Sequence, residues 1–297
     1  MKVVVTGSTG LIGSALVRNL RADNHDVLRL VRHAPRAADE VQWQPSSGFL
    51  EPDVVNGVDA VVHLAGAGIG DHRWTEDYKR VIRESRVSGT TAVAQAIASA
   101  AQPPRVLVSG SAVGYYGDTG EEACDESSPS GDGFLASVVR DWEAASAPAS
   151  EAGVRVVNIR TGIVLSADGG LLKQMLPIFK LGLGGRLGSG RQWFSWISIA
   201  DHVAAVRYLM ADDDLSGPVN VTAPEPVRNK EFTKALARAV HRPAVAVVPS
   251  VALKAALGGF AEEGALVSQR VLPARLEAAG FTFTFADIDA ALRALVD

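Results

Sequence analysis

Only one cysteine, Cys124, stands among the 297 residues, so no disulfide can form within the chain. That suits a reducing compartment. Its surroundings, GEEACDESS, are acidic, and negative charge raises a thiol pKa, so Cys124 is not expected to act as a nucleophile. No apolar run approaches the ~18 residues a membrane-spanning helix needs. Positive charge is not in excess either: 29 Lys and Arg stand against 33 Asp and Glu, a net charge of −4. There is no basic stripe for nucleic acid. His72 and His202 have no ligand-spaced partner, so no metal centre is expected, and His63 reads as a packed strand residue. The first residues, MKVVVTGSTG, lead straight into a strand with no signal peptide. These absences point to a cytoplasmic protein with neither nucleic acid nor membrane as partner.

What is present is alternation. Lys2–Thr6, Asp26–Val31, Ala60–Leu64, Val106–Ser109 and Arg155–Leu165 read as strands. Helical patterns lie between them, over 12–21, 78–99 and 135–150. The runs VVVT and AVVHL are continuously apolar, as strands buried on both faces must be. The expected fold is α/β, a doubly wound parallel sheet of the Rossmann kind. Glycine-rich turns dominate after residue 166, followed by short strands and a strand-like GFTFTF before a last helix capped near Asp287 or Asp289. We therefore expect a nucleotide-binding domain over 1–165. A smaller C-terminal α+β lobe is expected over 166–297, with some segments returning to the main sheet.

The stretch VVVTGSTGLIG is strand, Gly7-x-x-Gly10-x-x-Gly13, then helix. One glycine permits the tight turn, one lets backbone approach a pyrophosphate, and one lets the helix pack on the strand. The helix N-terminus then offers free N–H groups to phosphate. A bare triplet also fits a glycine turn without ligand; the strand–turn–helix context favours the dinucleotide. The second strand, DVLRLVRHAPR, ends without Asp or Glu and with Arg32. A carboxylate there would bind the ribose hydroxyl of NAD, whereas a guanidinium suits the 2′-phosphate of NADP. The cofactor expected is NADP.

These features, with HLAG at 63–66, SGSAVGYYG at 109–117 and GSGRQWFSWISIADHVAAV at 188–206, resemble the extended short-chain dehydrogenase/reductase family. RTGIVLSADGG, KLGLGGRLGSGRQWFSWISIAD and VLPARLEAAGF resemble its atypical branch known as the epimerase family, over almost the whole chain. The resemblance implies that Gly7, Thr9, Gly10, Leu11, Ile12 and Gly13 hold the pyrophosphate, and that Val31 and Arg32 meet the adenosine ribose and its phosphate. It further implies that Leu64, Ala65, Gly66 and Ser109 line the cofactor, and that Arg86 and Arg160 contribute to NADP binding. Taken alone, Arg86 equally reads as a surface helix charge. A homodimer is usual in the wider family.

One family feature is missing. Members that move hydride carry Tyr-x-x-x-Lys on a helix after the fifth strand, where the tyrosine handles the substrate proton. Here that helix reads GDGFLASVVRDWEAA. Phe134 with Val138, or Leu135 with Val139, occupies the two positions, and neither register has an acid–base pair. Arg140 stays charged at working pH and is a poor proton shuttle. Ser111, Tyr115 and Tyr116 remain as candidate catalytic groups, with Arg140 or Lys173 as cations to tune a tyrosine; the plainer reading is that the three only line the pocket. Two functions stay open: an NADP(H)-dependent oxidoreductase or epimerase-like enzyme on a small substrate, resembling the sugar-nucleotide enzymes, and a nonenzymatic NADP(H)-binding sensor. Asp201 reads as a helix N-cap, Asp118 to Glu126 as a solvated acidic loop. Trp193, Phe194 and Trp196 face either a pocket or the core.

Overall fold

β1 (Lys2–Thr6) lies inside the sheet and sends Val3 and Val5 into one apolar layer and Val4 into the other. The computed structural model describes residues 1–296. After β1 come α1 (Leu11–Ala22), β2 (Asp26–Val31), β3 (Glu40–Gln42), β4 (Ala60–His63), α2 (Glu76–Ser99), β5 (Val106–Ala112), β6 (Ala123–Cys124), α3 (Phe134–Ala144), α4 (Ala147–Glu151) and β7 (Arg155–Thr161). The chain continues through β8 (Ile163–Leu165), α5 (Gly170–Lys180), β9 (Gly185–Leu187), β10 (Trp193–Phe194), β11 (Trp196–Ser198), α6 (Ile199–Ala211), β12 (Gly217–Val221) and β13 (Val227–Arg228). It ends with α7 (Asn229–Ala239), β14 (Ala246–Val248), α8 (Ser250–Leu257), β15 (Arg270–Val271), α9 (Ala274–Ala278) and α10 (Ile288–Val296).

Seven strands form one parallel sheet in the order β12-β7-β5-β4-β1-β2-β3. The chain winds one way from β1 to β2 and the other way from β1 to β4. The crevice at the carboxyl ends of β1 and β4 is therefore the switch point where such sheets bind ligands. Leu16 and Leu20 of α1 pack with Val206 and Leu209 of α6 on one face; Val93 and Ile97 of α2 pack on the other. Each such side chain, fully buried, contributes roughly 1.5–3 kcal/mol. A third core, with Phe179, Trp196, Phe232 and Leu292, sits under the later elements. No helix among the described residues is long and apolar enough to cross a membrane.

The expected α/β doubly wound architecture is the observed one, and β1 and β2 keep their expected bounds. Several details differ. The helix expected over 135–150 is two, α3 and α4, because the chain turns through Ala145–Ser146, where Ser146 Oγ donates to the Glu143 carbonyl. The strand expected over 155–165 is also two: β7 stays in the main sheet, while β8 pairs with β11. β5 runs three residues further than expected, through Gly110, where the Trp142 indole packs so close that a Cβ would stand 2.8 Å from it. GFTFTF forms no strand. Its Thr284 and Phe285 N–H groups instead donate to the buried Asp201 carboxylate at 2.7 and 3.1 Å. Asp201 is thus not the N-cap; Ser198 is, accepting from the Asp201 N–H.

Candidate active site

The turn from β1 into α1 is shaped by contacts only glycine allows. Gly7 has φ 65°, and a Cβ on it would lie 2.7 Å from the Leu64 carbonyl. A Cβ on Gly13 would lie 2.2 Å from the Gly7 oxygen. Gly10 is the N-cap of α1 and offers no side-chain cap. The first N–H groups of the helix, on Leu11, Ile12 and Gly13, therefore face outward without a protein acceptor, a ready anion site. Thr9 and Gly10 are exposed at its rim. The Leu11 side chain packs against Gly169, fixing the loop after β8 beside the turn. Ser8 Oγ is buried and has no hydrogen-bond partner among the described residues.

Beneath the turn, the Thr6 hydroxyl accepts from the N–H groups of Leu64 and Ala65 at 3.0 and 3.1 Å. With both lone pairs engaged, its proton goes to His63 Nδ1 at 2.8 Å. His63 thus carries its own proton on Nε2, which has no partner among the described residues. Burial lowers its pKa to about 4, so it is neutral at physiological pH. This knot locks the ends of β1 and β4 together and aims Leu64, Ala65 and Gly66 along the crevice.

Three arginines border it. Arg32 and Arg36 are exposed after β2 and form no ion pair among the described residues, whereas Arg29 is held by Asp39 and Glu40. Val31 is buried beneath Arg32. Arg86 of α2 is half-buried against Gly66, with its guanidinium 5.1 Å from the Trp142 ring and Nη1 donating to the Ile82 carbonyl. Burial lowers its pKa to about 10, which still leaves it a cation. No carboxylate pairs with it among the described residues.

At the end of β5 a buried chain of polar groups runs inward. Ser111 Oγ donates to Glu143 Oε1 at 2.6 Å. Arg160 grips Glu143 through Nε and Nη2 at 2.8 and 2.9 Å. Arg160 Nη1 donates to the Tyr116 hydroxyl at 3.0 Å, and that hydroxyl donates to Asn220 Oδ1 at 2.7 Å. Burial disfavours the Arg160 charge, but Glu143 outweighs it, and its pKa stands above the ordinary value. Burial drives Tyr116 up to about 12 against the pull of Arg160. Tyr115 is half-buried, its ring 3.4 Å from the Arg160 guanidinium, and its hydroxyl makes no hydrogen bond among the described residues. Ser109 is buried one turn of the strand earlier.

The geometry decides the register of α3. Gly114 lies against both Leu135 and Val139, 3.5 and 4.0 Å from the position of a Cβ. Phe134 turns away onto Trp74 and Arg83. The two apolar residues at the mouth are therefore Leu135 and Val139. Arg140 donates to Ser130 and Gly131, and Lys173 is exposed on α5; neither touches a site tyrosine.

Several contributors escape a reading by motif. Glu143 continues the Leu135–Val139 stripe by four more residues, and a carboxylate on an apolar helical stripe is a signal of a buried partner. Thr6 and Asn220 gave no such signal. Gln269 donates to the carbonyls of Val113 and Gly117 from 156 and 152 residues away. Glu263 accepts from the Leu135 N–H at 2.7 Å. The acidic loop is not wholly solvated: Glu126 is half-buried and accepts from Asn220 and Arg275 N–H groups, and Glu121 pairs with Arg228. Phe194 and Trp196 belong to the core, while Trp193 lies on the surface between Arg228 and Arg270.

Residues 3–222 match the NAD dependent epimerase/dehydratase family, and residues 248–295 match a domain of unknown function, DUF1731. The epimerase family protein Mb2239 of Mycobacterium bovis is 50% identical over 290 residues, covering 98% of this chain and 96% of its own length. A chloroplastic SDR39U1 homolog of Arabidopsis thaliana is 42% identical, covering 100% of this chain and 87% of the relative. The crystal structure of human epimerase family protein SDR39U1 (isoform 2) with NADPH superposes with a TM-score of 0.91. It is 34% identical and covers 100% of this chain and 99% of that one.

Proposed function

The chain belongs to the NAD dependent epimerase/dehydratase family, and from that premise we propose that it is a cytoplasmic, NADP(H)-dependent oxidoreductase or epimerase-like enzyme acting on a small substrate. The observation that carries the cofactor is the uncapped start of α1, closed beneath by Gly7 and Gly13, with Arg32 and no acid at the end of β2. Leu11, Ile12 and Gly13 N–H groups bind the pyrophosphate, with Thr9 and Gly10 at its edge. Arg32 meets the 2′-phosphate above Val31. Leu64, Ala65 and Gly66 form the floor, and Arg86 supplies a second cation beside Gly66. Bound NADP(H) would supply or accept the hydride. Residues 1–165 carry this cofactor half; the elements after 166, apart from α6 and β12 which return to the main sheet, cover the substrate.

Tyr115 carries the proton on this reading. Its hydroxyl has no partner among the described residues, whereas Tyr116 is bonded on both sides. Ser111 and Arg160 act through Glu143, as supports of the floor beneath Tyr115 rather than as cofactor ligands. Ser109 stays a buried support of β5. One observation favours the sensor reading as the alternative: Leu135 and Val139 place hydrocarbon where the wider family has its tyrosine and lysine.

Calorimetry separates the claims. NADPH is expected to bind more tightly than NADH. Arg32→Glu should weaken NADPH roughly ten- to hundredfold through a lost charge-assisted contact, with little effect on NADH. Equal wild-type affinities would remove the NADP assignment. Stopped-flow oxidation of NADPH against a carbonyl panel tests the chemistry. Tyr115→Phe should abolish turnover; Tyr116→Phe should lower stability and leave turnover measurable. Turnover that survives Tyr115→Phe removes that residue as donor, and NADPH binding without turnover on any carbonyl selects the sensor.

A further inference from the structure

Most of the exposed large apolar side chains gather at one corner. Ile178 lies in the last turn of α5, Leu181 and Leu183 in the turn after it, Val245 and Val247 flank and enter β14, and Val251 is in the first turn of α8. Leu181 is 73%, Leu183 67%, Val245 87% and Val251 76% exposed. They share one surface. β14 pairs with β9, Ala246 opposite Gly185. Arg242 Nε donates to the Lys180 carbonyl at 3.2 Å, and Gly182 lies against Pro243. Side chains this exposed protrude; they do not line a groove.

The charge around them is mostly positive. No Asp or Glu occurs from 169 to 200 or from 232 to 261, in a chain whose net charge is −4. Lys173, Lys180, Arg186 and Arg242 are exposed and pair with no carboxylate among the described residues. Beside them opens a cleft of about 880 Å³ lined by Arg238, His241, Arg242, Asp289 and Arg293. Asp289 pairs with Arg238, leaving Arg242 and Arg293 for an outside anion.

We propose that this corner docks peripherally on an anionic phospholipid surface. The apolar tips enter the interface, and the lysines and arginines meet the headgroup phosphates. Apolar insertion combined with electrostatic attraction is what holds a protein at such a surface without a spanning helix. The lack of a long apolar helix among the described residues excludes a spanning helix alone; docking at this corner departs from the expectation of no membrane partner. A second copy is a poor occupant: a two-fold contact through this face would set the same cations against each other.

Co-sedimentation of the full chain with vesicles tests it. Binding to phosphatidylcholine vesicles containing roughly one-third phosphatidylserine should exceed binding to phosphatidylcholine alone by about tenfold or more, and fall at about 0.5 M salt. The pair Leu181→Ser with Leu183→Ser, and the pair Arg186→Glu with Arg242→Glu, should each lower binding about tenfold. Val81→Ser, on the exposed side of α2, should not. NADPH calorimetry on each variant reports that the fold is intact. Equal binding to both vesicle types, or unchanged binding by either pair of substitutions, overturns the proposal. So does a dimer in light scattering that Leu181→Ser with Leu183→Ser dissolves, when vesicles bind nothing.

Discussion

Gly13→Ala is expected to cost at least ~3 kcal/mol of NADPH binding, about a hundredfold in affinity. The added Cβ would stand 2.2 Å from the Gly7 oxygen and 2.8 Å from its carbonyl carbon, both backbone atoms of the same turn. Neither can swing aside, so the start of α1 must move off the strand. The N–H groups that face the phosphates then lose their common aim. Gly10→Ala is the informative contrast. There a Cβ meets only the Gly7 oxygen, at 3.3 Å, so the fold should keep its urea midpoint while the methyl group intrudes where the pyrophosphate approaches. Calorimetry and urea unfolding on both variants check this. A Gly13→Ala protein that binds NADPH like the wild type would show that phosphate is held elsewhere.

Glu143→Ala should destabilise the protein by about 3–5 kcal/mol. Arg160 is only 3% exposed and loses its two carboxylate bonds at once, leaving an uncompensated charge in the interior. Ser111 loses its acceptor as well. The paired change Glu143→Leu with Arg160→Met removes both charges and should recover much of the loss, because well-packed apolar replacements of a buried ion pair are often neutral. Urea unfolding reads both. A Glu143→Ala midpoint within error of the wild type would mean that water or another group already satisfies Arg160.

The sheet was legible in the sequence because its strands are buried on both faces and therefore unbroken in hydrophobicity: KVVVT and AVVH can be little else. The glycine turn was legible because its spacing follows from backbone contact. The later half was harder. β8, β10, β11 and β13 have two or three residues each, too short for a period to emerge, and their partners lie far along the chain. GFTFTF alternates like a strand, yet its N–H groups are satisfied by one carboxylate, Asp201, which no local pattern announces. At the site, the identity of Ser111, Tyr115 and Tyr116 could be read, but not which of them is bonded inward. That depends on Glu143, Arg160 and Asn220, which converge from α3, β7 and β12.

The pairing of Ala123 with Arg270 in β6 and β15, and the grip of Gln269 on Val113 and Gly117, bear on the order in which the molecule assembles. The anion cradle is built from residues 6–13 and 63–65, whose bonds between β1 and the end of β4 span 58 and 59 positions. The mouth over Tyr115 joins residues separated by about 150 positions. Contacts of such long range are slow to form, since the loop entropy is lost before any bond is gained. The shorter closure favours the phosphate cradle over the mouth above Tyr115 by about 1 kcal/mol of loop entropy, so the cradle is expected to form first. Recovery of the two during refolding should be separable in time.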